Sequence, residues 1–251
     1  MKSSYTPLAV GSGKNEHVLI RFARVRTKEI LAKALHSAMW YTPFRRYFHY
    51  RYMYSFTPEQ LSFFINCLNQ IRDVPGDILE IGCAGGNTTC FLNRHLQVSG
   101  IKKTYCCVDT FSGFTRGDIA FETTERGKKP SYFTGFRTNS LKRFKYMLKR
   151  NGCQQVQCIQ ADVKTCSFSS PVSFCLLDVD LYLPTLYTLK AIWRLLSPGG
   201  IIIVDDCLPN DTFDGALQAY NEFTRNAGIS PYFTLDKLGV IRKAGPQSGI
   251  E

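Results

Sequence analysis

The feature that most constrains this chain is a change of rhythm after Val74-Pro75-Gly76. From there, short apolar runs alternate with stretches of helical spacing. The runs are Ile78–Ile81, Tyr105–Val108, Val156–Ile159, Phe174–Leu177 and Ile201–Val204. The helical stretches lie around Thr88–Leu96, Ser140–Lys149, Pro184–Leu196 and Phe213–Asn226. Strand–helix alternation of this kind predicts right-handed crossovers and a parallel sheet covered by helices on both faces. The end of the chain breaks the rhythm. Tyr232–Leu235 and Gly239–Arg242 flank a tight Asp236-Lys237-Leu238 turn and predict an antiparallel hairpin. The expected fold is α/β: a doubly wound, mostly parallel seven-stranded sheet with a C-terminal antiparallel hairpin.

The first third reads differently. Residues 1–15 are expected to be a loose Ser/Gly tail, residues 16–73 a helical and aromatic extension, and residues 74–251 the sheet domain. Phe22, Ile30, Leu31, Ala34, Leu35, Ala38 and Met39 have helical spacing, and nine aromatics crowd residues 40–56. A cleaner helix follows. Thr57 is its expected N-cap, Pro58 its first residue, and Gln60 completes a capping box. Leu61, Phe64, Ile65, Leu68 and Ile71 mark the face it buries.

Composition narrows the class. At 251 residues with 44% hydrophobic and 20% charged residues, this is one large domain, or one domain with an appendage, and not a disordered or coiled-coil chain. No run of 18 apolar residues exists, and the N-terminus has no signal-peptide core, so no membrane partner and a cytoplasmic location are expected. The ten cysteines include no C-x-x-C pair, and Cys106, Cys107, Cys158 and Cys175 sit in strand-like runs, where free thiols are expected. Net charge is +11, and residues 1–75 hold 11 Lys/Arg against 4 Asp/Glu. That basic excess, with the Arg/aromatic mix of Arg45–Tyr54, keeps a nucleic-acid partner open as an alternative.

In an open doubly wound sheet, ligands sit beyond the carboxyl ends of the strands. After the first strand comes Glu80-Ile81-Gly82-Cys83-Ala84-Gly85-Gly86-Asn87-Thr88. Its glycines let a turn approach a ligand, but Ala84 and Asn87 break the G-x-G-x-x-G dinucleotide pattern. After the second strand comes Asp109-Thr110-Phe111-Ser112-Gly113, where a carboxylate can accept both hydroxyls of a ribose. After the third comes Asp162, placed to accept from an adenine amino group. The fourth and fifth ends are Asp178-Val179-Asp180 and Asp205-Asp206. Four carboxylates on one rim raise one another's pKa, and a hard divalent cation such as Mg²⁺ relieves the conflict. The other reading is that Asp205, Asp206 and Asp211 cap the next helix.

Together these residues resemble a class I S-adenosylmethionine-dependent methyltransferase, a Rossmann-like fold. Asp109-Thr110-Phe111-Ser112-Gly113, Asp178-Val179-Asp180-Leu181-Tyr182 with Pro184-Thr185, and Ser197-Pro198-Gly199-Gly200 through Asp205-Asp206 resemble more narrowly the macrocin O-methyltransferase-like family. The resemblance covers about residues 70–243. It implies S-adenosylmethionine bound by Glu80, Gly82, Cys83, Ala84, Gly86, Asn87, Thr88, Asp109, Thr110, Ser112, Asp162 and Asp178. It implies Mg²⁺ on Asp178, Asp205 and Asp206, with Asp178 or Asp180 as the base. The expected reaction is methyl transfer to a hydroxyl of a small molecule, a sugar or natural product. The expected assembly is a homodimer, with residues 16–56 as a lid or dimer surface. The alternatives are a nucleic-acid methyltransferase and a non-catalytic binding protein of the same fold.

Overall fold

The structure, a computed structural model, describes residues 27, 30, 31, 33–35, 37–39, 41–43, 52–210 and 212–245. Contacts divide the chain into two units, Met1–Met53 and Tyr54–Glu251. In the first unit the described residues between 27 and 39 are helical, and amides of Tyr41 and Thr42 bond back to Ala38 and Met39. The expected tail at residues 1–15, most of the aromatic stretch and Asp211 lie outside the described residues.

The second unit begins with helix α1 (Pro58–Gln70). Its capping box forms as the sequence suggests: Thr57 Oγ1 accepts from Gln60 N, and Gln60 Oε1 accepts from Thr57 N. Phe64, Leu68 and Ile71 of this region are fully buried in the same core as Ile78 and Phe174 of the sheet. This corrects the expected boundary at residue 74. The helix is part of the sheet unit because its apolar face is buried in the sheet's core.

Then follow β1 (Asp77–Ile81), α2 (Asn87–Ser99), β2 (Tyr105–Asp109), α3 (Arg116–Thr124), α4 (Leu141–Arg150), β3 (Gln157–Gln160), β4 (Val172–Leu177), α5 (Tyr182–Leu195), β5 (Leu196–Val204), α6 (Gly215–Asn226), β6 (Phe233–Thr234) and β7 (Leu238–Arg242). Short 3-10 turns occupy Pro130–Phe133 and Val163–Thr165. The seven strands lie in the order β3-β2-β1-β4-β5-β7-β6, with β7 antiparallel to β5 and to β6. The other neighbours are parallel. Helix α3 is an element the sequence reading passed over.

Strand period 2 divides the core. Ile78, Cys107, Phe174, Leu176, Ile201 and Ile203 face α1, α2 and α4, contributing Leu68, Leu92 and Leu148. Leu79, Ile81, Cys106, Val108, Cys175, Leu177, Ile202 and Val204 face α5 and α6, contributing Leu189, Ile192, Tyr220 and Phe223. All ten cysteines are free. Among the described residues no helix is long and apolar enough to cross a membrane.

The strand order reverses at β1, between β2 and β4. Such a switch point opens a crevice at the carboxyl ends, and Gly82, Asp109, Asp178 and Asp205 all stand there. At Gly82 φ is +84°, and a Cβ would fall 1.8 Å from the Asp178 carbonyl oxygen. Only glycine lets the end of β1 pass so close to the end of β4.

Candidate active site

A cavity of about 390 Å³ lies over these strand ends. One wall is the β1 turn, Gly82 and Ala84, with Asp109 and Thr110 after β2 and Ala161 and Asp162 after β3. The opposite wall is acidic, with Asp178, Asp180, Asp205 and Asp206. Phe114, Phe136 and Phe213 supply aromatic sides, with Phe114 edge-on to Phe136 at 5.7 Å.

Asp109 organises the first wall. Its Oδ2 accepts from the amides of Cys83 and Ala84 at 2.9 Å each, and Oδ1 accepts from Phe111 N at 2.6 Å. The β2 carboxylate therefore shapes the β1 turn, and Ala84 in that turn has φ +42°. Both lone pairs of Oδ2 are engaged by the turn, and Oδ1 retains one for a hydroxyl donor. Thr110 Oγ1 bonds Gly113 O and receives Ser112 N, and the exposed Ser112 is not among the cavity residues.

Most of the other expected cofactor residues lie outside the cavity lining. Glu80 is 1% exposed and faces α2, not the cavity. Its Oε2 accepts from Thr89 Oγ1 at 2.7 Å and Tyr105 OH at 2.8 Å. Burial raises its pKa to about 7, against the lowering effect of those hydrogen bonds. Cys83 is buried, and burial pushes its thiol up to about 12. Gly86 caps α2 at φ +85°, and Asn87 and Thr88 open that helix; none of the three lines the cavity. Asp162 does line it, but its carboxylate is engaged: Oδ1 receives Lys164 N at 3.0 Å, and Oδ2 lies 2.9 Å from Lys164 Nζ.

The acidic wall comes from neighbouring strands, since β4 pairs with β5 through Leu177 and Val204. One oxygen each from Asp178, Asp205 and Asp206 lie within 4.8 Å of one another. Asp205 is 4% exposed, and its Oδ1 has no hydrogen-bond partner. A buried carboxylate oxygen without a partner, aimed among two more carboxylates, fits an oxygen-liganded divalent cation. Burial first, and the neighbouring carboxylates second, raise Asp178 well above the usual carboxylate range. Asp180 rises too, through burial and its contact with Asp206. Asp205 reaches about 6 through burial and the charge of Asp206.

The sequence reading missed Lys237, which lies in the hairpin turn and lines the cavity. Its Nζ is 2.6 Å from Asp205 Oδ2 and 3.4 Å from Asp206 Oδ1, and 4.9 Å over the Phe56 ring. Burial alone would lower the Lys237 pKa, but Asp205 and Asp206 outweigh it and the pKa is raised. The signal was present: the expected turn put a lysine next to the last parallel strand, which ends in two acids.

A curated 8-demethyl-8-(2,3-dimethoxy-alpha-L-rhamnosyl)-tetracenomycin-C 4'-O-methyltransferase from Streptomyces olivaceus is 26% identical over 175 residues. The alignment covers 67% of this chain and 66% of that protein, so the chain spans just under two thirds of its relative's length. Among solved structures, calicheamicin methyltransferase CalS11 superposes with TM-score 0.61 at 18% identity, over 96% of this chain and 99% of that one. The O-methyltransferase NovP superposes with TM-score 0.60 at 19% identity, over 74% of this chain and 80% of that one. These two share its fold. Residues 54–243, which include the whole sheet and every cavity residue named above, match the macrocin-O-methyltransferase (TylF) family, and the chain belongs to that family.

Proposed function

We propose that this protein is an S-adenosylmethionine-dependent O-methyltransferase acting on a hydroxyl of a small molecule, a sugar or glycosylated natural product, with Mg²⁺ at its acidic wall. The observation that carries the reading is the pairing of two walls in one cavity. A glycine turn braced by a ribose-type carboxylate faces four carboxylates of two adjacent strand ends. Family membership and the sugar-directed activity of the Streptomyces olivaceus relative support the same reading.

Asp178, Asp205 and Asp206 are the residues to hold the metal, and Gly82, Ala84 and Asp109 the donor. Bound there, the donor supplies an electrophilic methyl group, and the metal lowers the pKa of an acceptor hydroxyl. The chain's own tasks are alignment and proton transfer. In-line displacement requires the acceptor oxygen to be held opposite the leaving sulfur. Asp178 belongs to the oxygen triad, and Asp180, which stands beside it outside that triad, is the carboxylate assigned to take the hydroxyl proton. Phe114, Phe136 and Phe213 give the cavity an apolar side against which the acceptor can pack.

The test is transfer of a labelled methyl group from S-adenosylmethionine to a set of glycosides and nucleotide sugars, with and without chelator. Label in a sugar hydroxyl, lost with chelator and in Asp180→Asn, is the expected result. Label incorporated only into RNA or DNA would overturn the reading.

A further inference from the structure

We propose that Glu122 of α3 is a positioning residue that fixes Asp180 for proton transfer. This rests on the reading of Asp180 as the base. Asp180 has φ +61°, a conformation a non-glycine residue holds only when its surroundings impose it. The residues on either side show what does so. Helix α5 starts at Tyr182 directly after Leu181, which provides no side-chain cap. The missing cap comes from another element: Glu122 Oε1 accepts from Tyr182 N at 2.8 Å. Helix α6 grips the same loop from the other side, where Ala216 N donates to Asp180 O at 3.2 Å.

Glu122 is itself fixed. It is 1% exposed, and its Oε2 accepts from Arg126 Nε at 2.7 Å. Arg126 Nη2 reaches Asp214 Oδ1 at 2.5 Å, just before α6, and Lys128 Nζ lies 2.8 Å from the same oxygen. Phe121 stacks on Tyr182 at 5.4 Å with the rings 7° apart. Gly215 is the close-packed corner of this junction, because a Cβ there would meet Tyr182 N at 2.6 Å and Glu122 Oε1 at 2.9 Å. One carboxylate thus ties the starts of α5 and α6 to α3, and Asp180 is the loop residue held between them. Glu122 lies outside the cavity lining. Its effect passes through the backbone, and a shift of about 1 Å in a base is enough to cost on the order of 100-fold in rate.

The experiment compares Glu122→Ala and Glu122→Gln with the wild type. It uses crystal structures with S-adenosylhomocysteine, calorimetric affinity for that ligand, and methyl-transfer kinetics on the glycoside and nucleotide-sugar set. In E122A, Asp180 is expected to leave its left-handed conformation. Its kcat is expected to fall at least about tenfold, while acceptor KM and S-adenosylhomocysteine affinity stay within about twofold. E122Q keeps an oxygen for Tyr182 N, so it should keep the Asp180 conformation and recover most of kcat. Asp180 unmoved in E122A, or kcat equally lost in E122Q with Asp180 in place, would overturn the proposal. If E122A does not fold, E122Q decides alone: Asp180 displaced while the amide still holds Tyr182 N is incompatible with it. A wild-type protein that transfers no methyl group would refute the O-methyltransferase reading, and the crystal comparison would still decide the role of Glu122.

Discussion

Lys237 Nζ sits 2.6 Å from Asp205 Oδ2, so the terminal hairpin places a cation against the most buried carboxylate of the acidic wall. The turn is clamped to do so: Cys207 N donates to Lys237 O at 2.7 Å, and Gln60 Nε2 donates to Leu235 O at 2.9 Å. The ammonium takes one oxygen of Asp205 and leaves Oδ1 to the cluster.

Lys237→Met should therefore leave Asp205 as a buried charge without its partner, at a cost of about 3–5 kcal/mol. Added Mg²⁺ should raise the melting temperature of this variant more than that of the wild type, because a bound cation replaces the missing charge. Equal Mg²⁺ shifts in the two proteins would contradict this.

Asp109→Ala should remove the acceptor for three backbone amides and release the β1 turn. The expected loss of S-adenosylhomocysteine affinity is about 1–3 kcal/mol, roughly 5–150-fold, read by calorimetry. Unchanged affinity would remove Asp109 from the donor site.

Two glycines of the same turn should behave oppositely. Gly82→Ala places a Cβ 1.8 Å from a β4 carbonyl oxygen and should cost more than about 4 kcal/mol, seen as failure to fold. At Gly85 an added Cβ would meet nothing within 4 Å, and φ is not positive, so Gly85→Ala should melt close to the wild type.

Glu80 gives a pH prediction. Its pKa is raised from 4.5 to about 7 in the folded state, mainly by burial. The folded state therefore keeps a proton that the unfolded chain releases. The associated stability is fully present below pH 4.5 and is lost as pH rises through about 7. It amounts to about 3 kcal/mol. Thermal melts of Glu80→Gln without metal should show a shallower decline between pH 5 and pH 7.5 (about the span of that titration) than the wild type. Parallel declines would show that other groups set the slope.

Glu80 also shows where sequence reading ran out. In a strand covered on both faces the apolar run is continuous, so periodicity does not say which way Glu80 points. The structure turns it toward Thr89 and Tyr105, which were visible in the sequence but not as neighbours. The capping box of α1 and the acids after β4 and β5 were legible because each is encoded within a few residues. Helix α3 was missed, although Thr115 caps it by accepting from Asp118 N, a local signal of the same kind. Lys237 and Glu122 act across 32 and 60 positions of sequence, on Asp205 and Tyr182, and only the fold brings them there. The N-terminal third is not the only basic part of the chain. Residues 126–161 carry nine Lys/Arg and no Asp/Glu, a longer one-signed stretch than any the N-terminal third contains.

The central claim is that one cavity brings a methyl donor on the β1–β2 side to a metal-binding acidic wall on the β4–β5 side. A crystal structure with S-adenosylhomocysteine and Mg²⁺ tests it most directly. The account predicts density along Gly82–Ala84 with the ribose on Asp109, and a cation bound by Asp178, Asp205 and Asp206 with the ligand's sulfur facing Asp180. S-adenosylhomocysteine bound elsewhere, or no cation at those three carboxylates at saturating Mg²⁺, would contradict it.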